Sequence, residues 1–276
     1  MYRDRGEQLD ADGGGNVCIA AATRAARVYC ADMHTRVVFC ILSACTTPSL
    51  DLLDAQVPVE AEVRQIVTFN FLPGRAAEAM ATFRDRAIPL YKDDAAMLSF
   101  RAFREVESPI PLDLIVVSAF RGMAGMDRSN AQLRDLATRA GTSIGAVYGQ
   151  IGGLASGHTD QFVEMLPSLG SGDPSSRRLT AFVWYRILPA QGEAFEAALA
   201  ATVVPWELAS GVPSATGRFL VSDGWHYLRL LGFDSLGDYQ AYGSNVVKQA
   251  AYARVGALIV ERREVIVAGV RELSVR

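Results

Sequence analysis

Short runs of β-branched and aromatic residues alternate along the chain with alanine-rich segments whose apolar positions recur at helical spacing. In the first half of the folded region this pattern predicts strands at 64–72, 97–105, 112–120 and 159–166. It also predicts helices at 75–91 and at 129–153, the second with a break near Gly141. The predicted order of elements in this half is therefore β-α-β-β-α-β.

The second half repeats this order. Strands are predicted at 179–188, 217–221, 224–233 and 261–270, and helices at 191–206 and 236–258. The tripeptide Ser222-Asp223-Gly224 predicts a tight hairpin between the second and third of these strands. A segment rich in proline and glycine, 167–176, is typical of a linker, and it separates a unit at 63–166 from a unit at 177–276.

Three blocks of similar residues recur in the same order in both halves. A separation of 116 residues relates Pro73 to Pro189 and also Pro89 to Pro205. Residues 114–126 match 227–239, and a third block pairs Tyr148, Ile151, Gly152 and Leu154 with Tyr252, Val255, Gly256 and Leu258. Collinear matches whose offsets change only between blocks indicate duplication of one unit.

One β-α-β-β-α-β unit leaves a face of its sheet uncovered, so two units in one chain can bury both faces by packing sheet against sheet. In this element order and its duplication the chain resembles the dimeric α+β barrel superfamily, which includes antibiotic-biosynthesis monooxygenase-like, NIPSNAP-like and EthD-like domains. The resemblance implies an α+β fold in which two tandem ferredoxin-like units form one barrel. No diagnostic motif accompanies the resemblance, so it predicts the fold more reliably than the function.

Composition and charge narrow the possible partners. Of 276 residues 50% are hydrophobic, and 27 Lys plus Arg against 30 Asp plus Glu leave a formal net charge of -3. This balance lacks the excess of positive charge that is typical of nucleic-acid binding, so nucleic acid is not predicted as a partner. All four cysteines precede residue 46 and there are three histidines, so neither a disulfide framework nor a metal site is predicted in the folded units.

Residues 1–62 are set apart from the two units. The first 32 residues mix charges, glycines and alanines without a sustained apolar period, which is typical of disorder or of a start codon assigned too far upstream. From Met33 a short basic region precedes an apolar run at 37–44, as in a signal peptide, and 46–62 has the composition of a tether. Leu42-Ser43-Ala44-Cys45 resembles a bacterial lipobox, which implies lipidation of Cys45.

Two interpretations of this N-terminal region stay open. The protein is either exported as a membrane-anchored periplasmic lipoprotein or cytoplasmic, with the apolar run as a buried or interfacial strand that ends in cysteine. A lipid anchor is the one form of membrane attachment that the sequence predicts, because no other stretch approaches the roughly 20 apolar residues that span a bilayer.

A ligand site is predicted from the two faces of the first strand in each unit. One face is wholly apolar and suits the side under the helices; it carries Val67, Phe69, Phe71, Val183, Tyr185 and Ile187. The opposite face then points into the barrel lumen with Thr68, Asn70, Trp184 and Arg186.

The third strand of the second unit has diverged from its counterpart. Trp225-His226-Tyr227-Leu228-Arg229 stands where the first unit has Leu112-Asp113-Leu114-Ile115-Val116. If the face with Trp225, Tyr227 and Arg229 is the lumen, it forms an aromatic and cationic wall for a small apolar or planar anionic ligand. The alternative is that aromatic residues fill the barrel core while Arg186 and Arg229 pair with carboxylates.

His226 is the one histidine inside a predicted strand of the units. It could be a general base or an axial ligand of haem, or a strand-end histidine near solvent. Some haem-degrading members of the superfamily use an asparagine on an equivalent strand with a tryptophan and a histidine. Asn70 matches that asparagine, but the spacing of the other two is not reproduced, so no cofactor is predicted and haem is kept as an alternative.

Two classes of function follow. The first is a small-molecule-binding or structural barrel without catalysis, because no acid–base pair is placed on both halves. The alternative is a cofactor-independent or haem-related monooxygenase-like enzyme with a largely apolar pocket. Homo-oligomeric assembly through sheet edges is compatible with both.

Overall fold

The computed structural model describes residues 60–107 and 112–275, which belong to one compact unit, Gln56–Arg276. The unit Met1–Ala55 contains the signal-peptide-like segment and Cys45, which lie outside the described residues. Lipidation of Cys45 therefore stays a prediction.

Eight antiparallel strands close into a barrel. In chain order they are β1 (Glu62–Phe71), β2 (Met97–Glu107), β3 (Leu114–Arg121), β4 (Ala155–Met165), β5 (Leu179–Ile187), β6 (Ser214–Val221), β7 (Tyr227–Phe233) and β8 (Ile259–Gly269). Around the barrel the order is β1-β3-β2-β8-β5-β7-β6-β4. Each half contributes four neighbouring strands, and the halves meet at two seams, β2–β8 and β4–β6. The predicted α+β barrel is confirmed.

Helices accompany the strands in the predicted order. They are α1 (Ala76–Thr82), α2 (Ile88–Lys92), α3 (Gly122–Arg139), α4 (Ile144–Gly152), α5 (Gly192–Ala198), α6 (Val204–Ala209), α7 (Leu236–Ser244) and α8 (Val246–Gly256). Within residues 60–107 and 112–275, none of the helices has the length and apolarity needed to cross a membrane.

The first long helix of each half contains a π-helical turn, Phe83–Ala87 in one and Leu199–Val203 in the other. In both halves the turn lies just before a proline. Pro89 and Pro205 have no N–H to donate, and the residue before each donates to the carbonyl five residues earlier. The two prolines that the sequence pattern aligned therefore occupy matching backbone positions.

The second long helix of the first half is broken where the sequence predicted. Gly141, with φ +71°, follows α3, and a left-handed residue at this place is favourable for glycine because it has no Cβ. The start was predicted less well, since α3 begins at Gly122 rather than at Ser129.

Buried side chains form three clusters. Two lie between the sheet and the helices, one in each half, around Phe83 and Leu133 in the first and Phe195 and Leu199 in the second. The third fills the barrel lumen. The lumen and the helix-covered faces are therefore separate environments for any functional side chain.

Residues 155–161 of β4 and 259–265 of β8 each have a described strand neighbour on one side alone. β4 pairs with β6 only at 162–165, and β8 pairs with β2 only at 266–269. Among the residues that the structure describes, 155–161 and 259–265 thus keep one open edge each. Open edges are where sheets add strands, and oligomerisation through them stays a prediction.

Candidate ligand-binding site

The barrel lumen is filled by apolar side chains. Ile66, Phe103, Phe182 and Trp184 belong to one cluster whose buried members are at most 7% exposed. Trp184 faces the lumen as predicted, and its indole Nε1 donates a hydrogen bond to Gln161 Oε1 at 3.0 Å. This level of the barrel is packed like a protein core.

One end of the lumen is occupied by an aromatic and charged group around Trp225. The guanidinium carbon of Arg186 lies 5.2 Å from the centre of the Trp225 ring, and that of Arg263 lies 5.5 Å from it. Arg186 also pairs with Glu261 at 2.6 Å. Because stacking and ion pairing satisfy these cations, the group supports a structural role for Trp184, Arg186 and Trp225.

The prediction that Tyr227 and Arg229 line the lumen is wrong. β7 begins at Tyr227, and its lumen residues are Leu228 and Leu230, so Tyr227 and Arg229 lie under the helices of the second half. Trp225 precedes β7, and the alternation of a strand does not extend to it. It packs into the lumen cluster, whereas Tyr227, two positions later, packs under the helices.

Asn70 does not lie in a common site with Arg229. Its side chain is exposed, and the residue lies opposite Gly157 of β4. Ser156 Oγ donates to its backbone carbonyl at 3.1 Å. Asn70 and Arg229 are therefore not part of one site.

His226 lies in the turn before β7 with its side chain exposed. Its backbone N–H donates to the carbonyl of Tyr185 at 2.9 Å, and the Ile187 N–H donates to its Nδ1 at 3.0 Å. This contact holds the imidazole against the last residue of β5. The interpretation of His226 as a strand-end residue near solvent agrees with this position.

Beneath the helices of the second half, Arg229 and Glu207 form a fully buried ion pair. Arg229 Nη2 lies 2.6 Å from Glu207 Oε2, and both side chains are 0% exposed. Arg229 also donates from Nε to Thr216 Oγ1 at 3.1 Å and from Nη1 to the Tyr252 hydroxyl at 2.6 Å. These contacts offset the cost of removing the guanidinium from water.

Both oxygens of the Glu207 carboxylate are satisfied. Oε2 accepts a second hydrogen bond from Ser214 Oγ at 2.6 Å. Oε1 is within hydrogen-bond distance of two phenol hydroxyls, Tyr242 at 3.0 Å and Tyr252 at 2.9 Å. Burial raises the pKa of both phenols above that of ordinary tyrosine, so they remain protonated donors at neutral pH.

The first half has an apolar arrangement at the matching strand positions. Arg229 pairs across β7 and β6 with Thr216, and Val116 pairs across β3 and β2 with Ala102. A charged residue beside a hydroxyl thus replaces two aliphatic residues. The ionic network is a property of the second half alone among these matched positions.

The helices differ in the same way. Tyr91 and Tyr148 of the first half share a hydrogen bond at 3.0 Å between their hydroxyls. In the second half Tyr252 matches Tyr148, but its partner is the carboxylate of Glu207, which follows Tyr91 by the same 116 residues that separate the matched prolines. The exchange of a phenol for a carboxylate supplies the counter-ion that Arg229 requires.

A cavity of about 380 Å³ opens beside this network, next to α8; we refer to it as the α8 cavity. Its polar lining consists of three phenols, two cations and one amide, and Leu231, Ala253 and Ile259 are apolar contributors; the polar residues are Tyr185, Tyr242, Tyr252, Lys248, Arg262 and Gln249. Small-molecule sites in proteins have volumes of roughly 300–1,000 Å³. The α8 cavity is therefore large enough for a small ligand.

Of the two cations in this cavity, Lys248 is the one whose charge is not balanced by a carboxylate. Its Nζ lies 4.3 Å from the centre of the Tyr242 ring and 5.5 Å from that of Tyr252. Burial, and then repulsion from Arg262, lowers the pKa of Lys248. Arg262 pairs with Glu264, whereas no described residue forms an ion pair with Lys248. A negative charge on a ligand would supply the missing counter-ion.

The sequence pattern missed most of this lining. Glu207, Lys248, Arg262 and Tyr242 were not candidates, and Tyr252 was recognised only as the counterpart of Tyr148. A usable signal existed at Glu207, because a carboxylate at the position of a matched tyrosine marks divergence between the halves.

The described residues give the α8 cavity no histidine ligand for haem. His158 and His226 are the two histidines in the described ranges, both are exposed, and neither lines the cavity. Nor does any group of three or more His, Cys, Asp or Glu side chains within 60–107 and 112–275 have the arrangement of a metal site.

Solved structures with the same fold include three instructive cases. A candidate monooxygenase from Lactobacillus acidophilus NCFM is 10% identical, with a TM-score of 0.56 over 78% of this chain and 96% of its own. An anthrone oxidase-like protein is 14% identical, with a TM-score of 0.52 over 76% and 92%. Chlorite dismutase from Candidatus Nitrospira defluvii is 11% identical, with a TM-score of 0.50 over 78% and 94%.

No protein-family model matches the chain, and no curated protein matches it at a significant level. The structural likenesses establish the fold, that of the dimeric α+β barrel proteins, here formed within one chain. At such identities a shared fold does not carry a shared function.

Proposed function

We propose that the chain is a small-molecule-binding barrel protein whose ligand, planar and anionic, lies in the α8 cavity. The observation that supports this most directly is the convergence of Lys248 with Tyr185, Tyr242 and Tyr252 around a space of about 380 Å³. A planar anionic ligand is one of the two classes that the sequence left open, but the residues that would bind it are different.

The phenol rings favour a flat ligand. Aromatic side chains stack on planar molecules and bury much apolar area with little loss of conformational freedom. Leu231, Ala253 and Ile259 add aliphatic surface to the same lining. A mono- or bicyclic aromatic body would contact both kinds of surface.

The cations favour a negative charge on that ligand. Lys248 is half-buried without an ion-pair partner among the described residues, and this partial burial lowers its pKa because it disfavours the charged form. A carboxylate, phenolate or sulfonate at Lys248 Nζ would offset the cost. The ligand would then bind more tightly than a neutral molecule of the same shape.

The buried network gives the cavity a rigid wall. Tyr252 and Tyr242 are cavity residues, and both hydroxyls are held by Glu207, which Arg229 in turn holds. Groups fixed in this way need not be ordered when a ligand binds, which lowers the entropic cost of binding. Glu207 and Arg229 would therefore act on the cavity through Tyr242 and Tyr252, since neither of the two lines it.

Untargeted mass spectrometry of small molecules that copurify with the protein tests this proposal. The wild-type extract should be enriched in a planar acid relative to the extract of Lys248→Met. An extract without enriched aromatic acids, or one unchanged by the substitution, would contradict the proposal.

A second candidate function is the oxidation of an electron-rich phenol or anthrone by O₂ without a cofactor. A lysine with a lowered pKa has a larger share of free amine at a given pH than an exposed one, so Lys248 could accept a proton from the substrate. Likeness in fold to an anthrone oxidase-like protein suggests the substrate class. In such a reaction a methylene becomes a carbonyl, with one O₂ consumed and one water released.

Oxygen uptake with 1,8-dihydroxyanthrone distinguishes binding from catalysis. An enzyme should consume O₂ faster than the uncatalysed solution, and Lys248→Met should lower the excess rate while Arg254→Met leaves it unchanged. Arg254 is a matched control because it is an exposed cation of α8 outside the cavity lining. Uptake equal to the background rate would leave binding as the function.

A further inference from the structure

The end of the lumen away from Trp225 holds a second cavity, of about 420 Å³, which we call the mouth cavity. Its apolar floor consists of Phe103, Val117, Phe182 and Leu230, each at most 7% exposed. Its polar rim consists of Glu62, Arg64, Ser99, Arg101, Asp173 and Ser175, and the buried Thr180 also lines it. An apolar floor beneath a few polar groups is the usual form of a ligand site in the mouth of a barrel.

A groove of about 540 Å³ adjoins the mouth cavity. The two spaces share three lining residues, Arg101, Phe103 and Ser175, so a single ligand can contact both. The β2–β8 ladder ends at Phe103, and Arg101 lines the groove from the stretch of β2 beyond it, where the segment after β8 bonds to Ala102 and Phe100. The linker and the start of β5 form the opposite wall.

The groove is strongly cationic. Its lining contains Arg101, Arg177, Arg178 and Arg271 and no aspartate or glutamate. Arg177 pairs with Asp234 at 2.5 Å, outside the lining. The guanidinium groups of Arg178 and Arg271 form no ion pair or hydrogen bond with any described residue.

Arg101 is positioned at the junction of the two spaces. It donates a hydrogen bond to Ser175 Oγ, and its Nη2 lies 3.7 Å from Asp173 Oδ2. Hydrogen bonds from Ser175 hold Asp173 in place, so the linker orients the guanidinium. A half-buried cation at the boundary between an apolar floor and a cationic groove matches a ligand with a charged head and an apolar tail.

We propose that the barrel mouth binds an anionic amphiphile, a single-chain carboxylate or phosphate monoester. The apolar chain would lie on Phe103 and Phe182, and the head would lie among Arg101, Arg178 and Arg271. This site shares no lining residue with the α8 cavity, so it stands independently of the function proposed above.

Calorimetric titration with octyl phosphate, octanol and inorganic phosphate tests the proposal. Octyl phosphate should bind with a stoichiometry of one, and at least tenfold more tightly than either of the other two. The double variant Arg178→Gln/Arg271→Gln should weaken its binding at least tenfold. Both arginines are exposed, so the fold should tolerate the change.

Lys248→Met serves as the control, because that residue belongs to the α8 cavity. It should leave octyl phosphate binding unchanged. Three results would overturn the proposal: no saturable binding, binding that Lys248→Met abolishes but the arginine variant retains, or inorganic phosphate binding as tightly as octyl phosphate. The last result would indicate an anion site without an apolar component.

Discussion

Arg229 and Glu207 form an ion pair at 2.6 Å with neither side chain exposed to solvent, and Arg229 occupies the strand position that Val116 holds in the first half. The two halves therefore share a backbone but differ in the chemistry of their helix-covered cores. At the matched strand positions the first core has Val116 and Ala102, whereas the second contains an ionic network with a cavity beside it.

Breaking this pair should destabilise the protein strongly. Arg229→Met leaves a buried carboxylate and Glu207→Leu leaves a buried guanidinium, and each should cost about 3–5 kcal/mol of unfolding free energy. The double variant should lose much less than the sum of the two, because it leaves neither charge unpaired. Urea denaturation measures the unfolding free energy of all three variants. Additive losses of unfolding free energy would show that the pair is not coupled.

Stability should fall steeply above pH 10. All seven described tyrosines have a raised pKa, chiefly through burial, and that of Tyr239 is raised to about 12. Unfolded tyrosine titrates near pH 10. The stability that the neutral hydroxyls contribute is complete below pH 10 and is lost as the pH rises through the folded pKa values, because the unfolded chain releases protons that the folded chain keeps.

Absorbance at 295 nm, recorded together with circular dichroism, checks this pH dependence. Tyrosinate should accumulate with the loss of structure rather than before it, apart from any signal of Tyr2 and Tyr29, which lie outside the described residues. Titration of most tyrosines near pH 10 in the folded protein would contradict the burial that the structure describes.

The β4–β6 seam should depend on Gly217. A Cβ at this position would press on Val163 Cγ1 and lie 3.0 Å from the Glu164 carbonyl oxygen. Gly217→Ala should therefore destabilise the protein by about 1–3 kcal/mol. Gly149→Ala is the matched control, since Gly149 lies within α4 with nothing within 4 Å, and it should stabilise by about 0.5–1 kcal/mol. Thermal unfolding of both variants tests this prediction. Equal shifts of the two melting temperatures would argue against a tight seam.

Lipidation of Cys45 is tested by metabolic labelling with palmitate in a bacterial host. The label should appear on the full-length protein and disappear in Cys45→Ala. Label that persists in the variant would refute the lipobox, and an unlabelled wild-type protein would favour the cytoplasmic alternative.

The fold could be predicted because strand and helix periods differ and because both halves give the same answer. Pro89 and Pro205 mark the same backbone feature twice, and Gly141 marks the break between α3 and α4. Local signals of this kind need no knowledge of the neighbouring elements. The early start of α3 at Gly122 was missed because its glycine-rich first turn has weak helix propensity.

The site could not be predicted, because it depends on the residue at which a strand begins and on contacts between segments that are distant in sequence. Placing the start of the β7 strand at Gly224 instead of Tyr227 made Trp225 and Arg229 look like neighbours on one face. Arg229 then had no visible counter-ion, since Glu207 lies on a helix and reaches it only in the folded chain. Lys248 carries no local signal that separates it from a solvated lysine.

Calorimetric titration with 2-naphthoate is the most direct test of the α8 cavity as a ligand site. The wild type and Arg254→Met should bind this planar anion with equal affinity, whereas Lys248→Met should bind it at least tenfold more weakly, and 2-naphthamide should bind weakly to all three. Equal affinity of the wild type and Lys248→Met for 2-naphthoate, or no binding by the wild type, would contradict the proposed site.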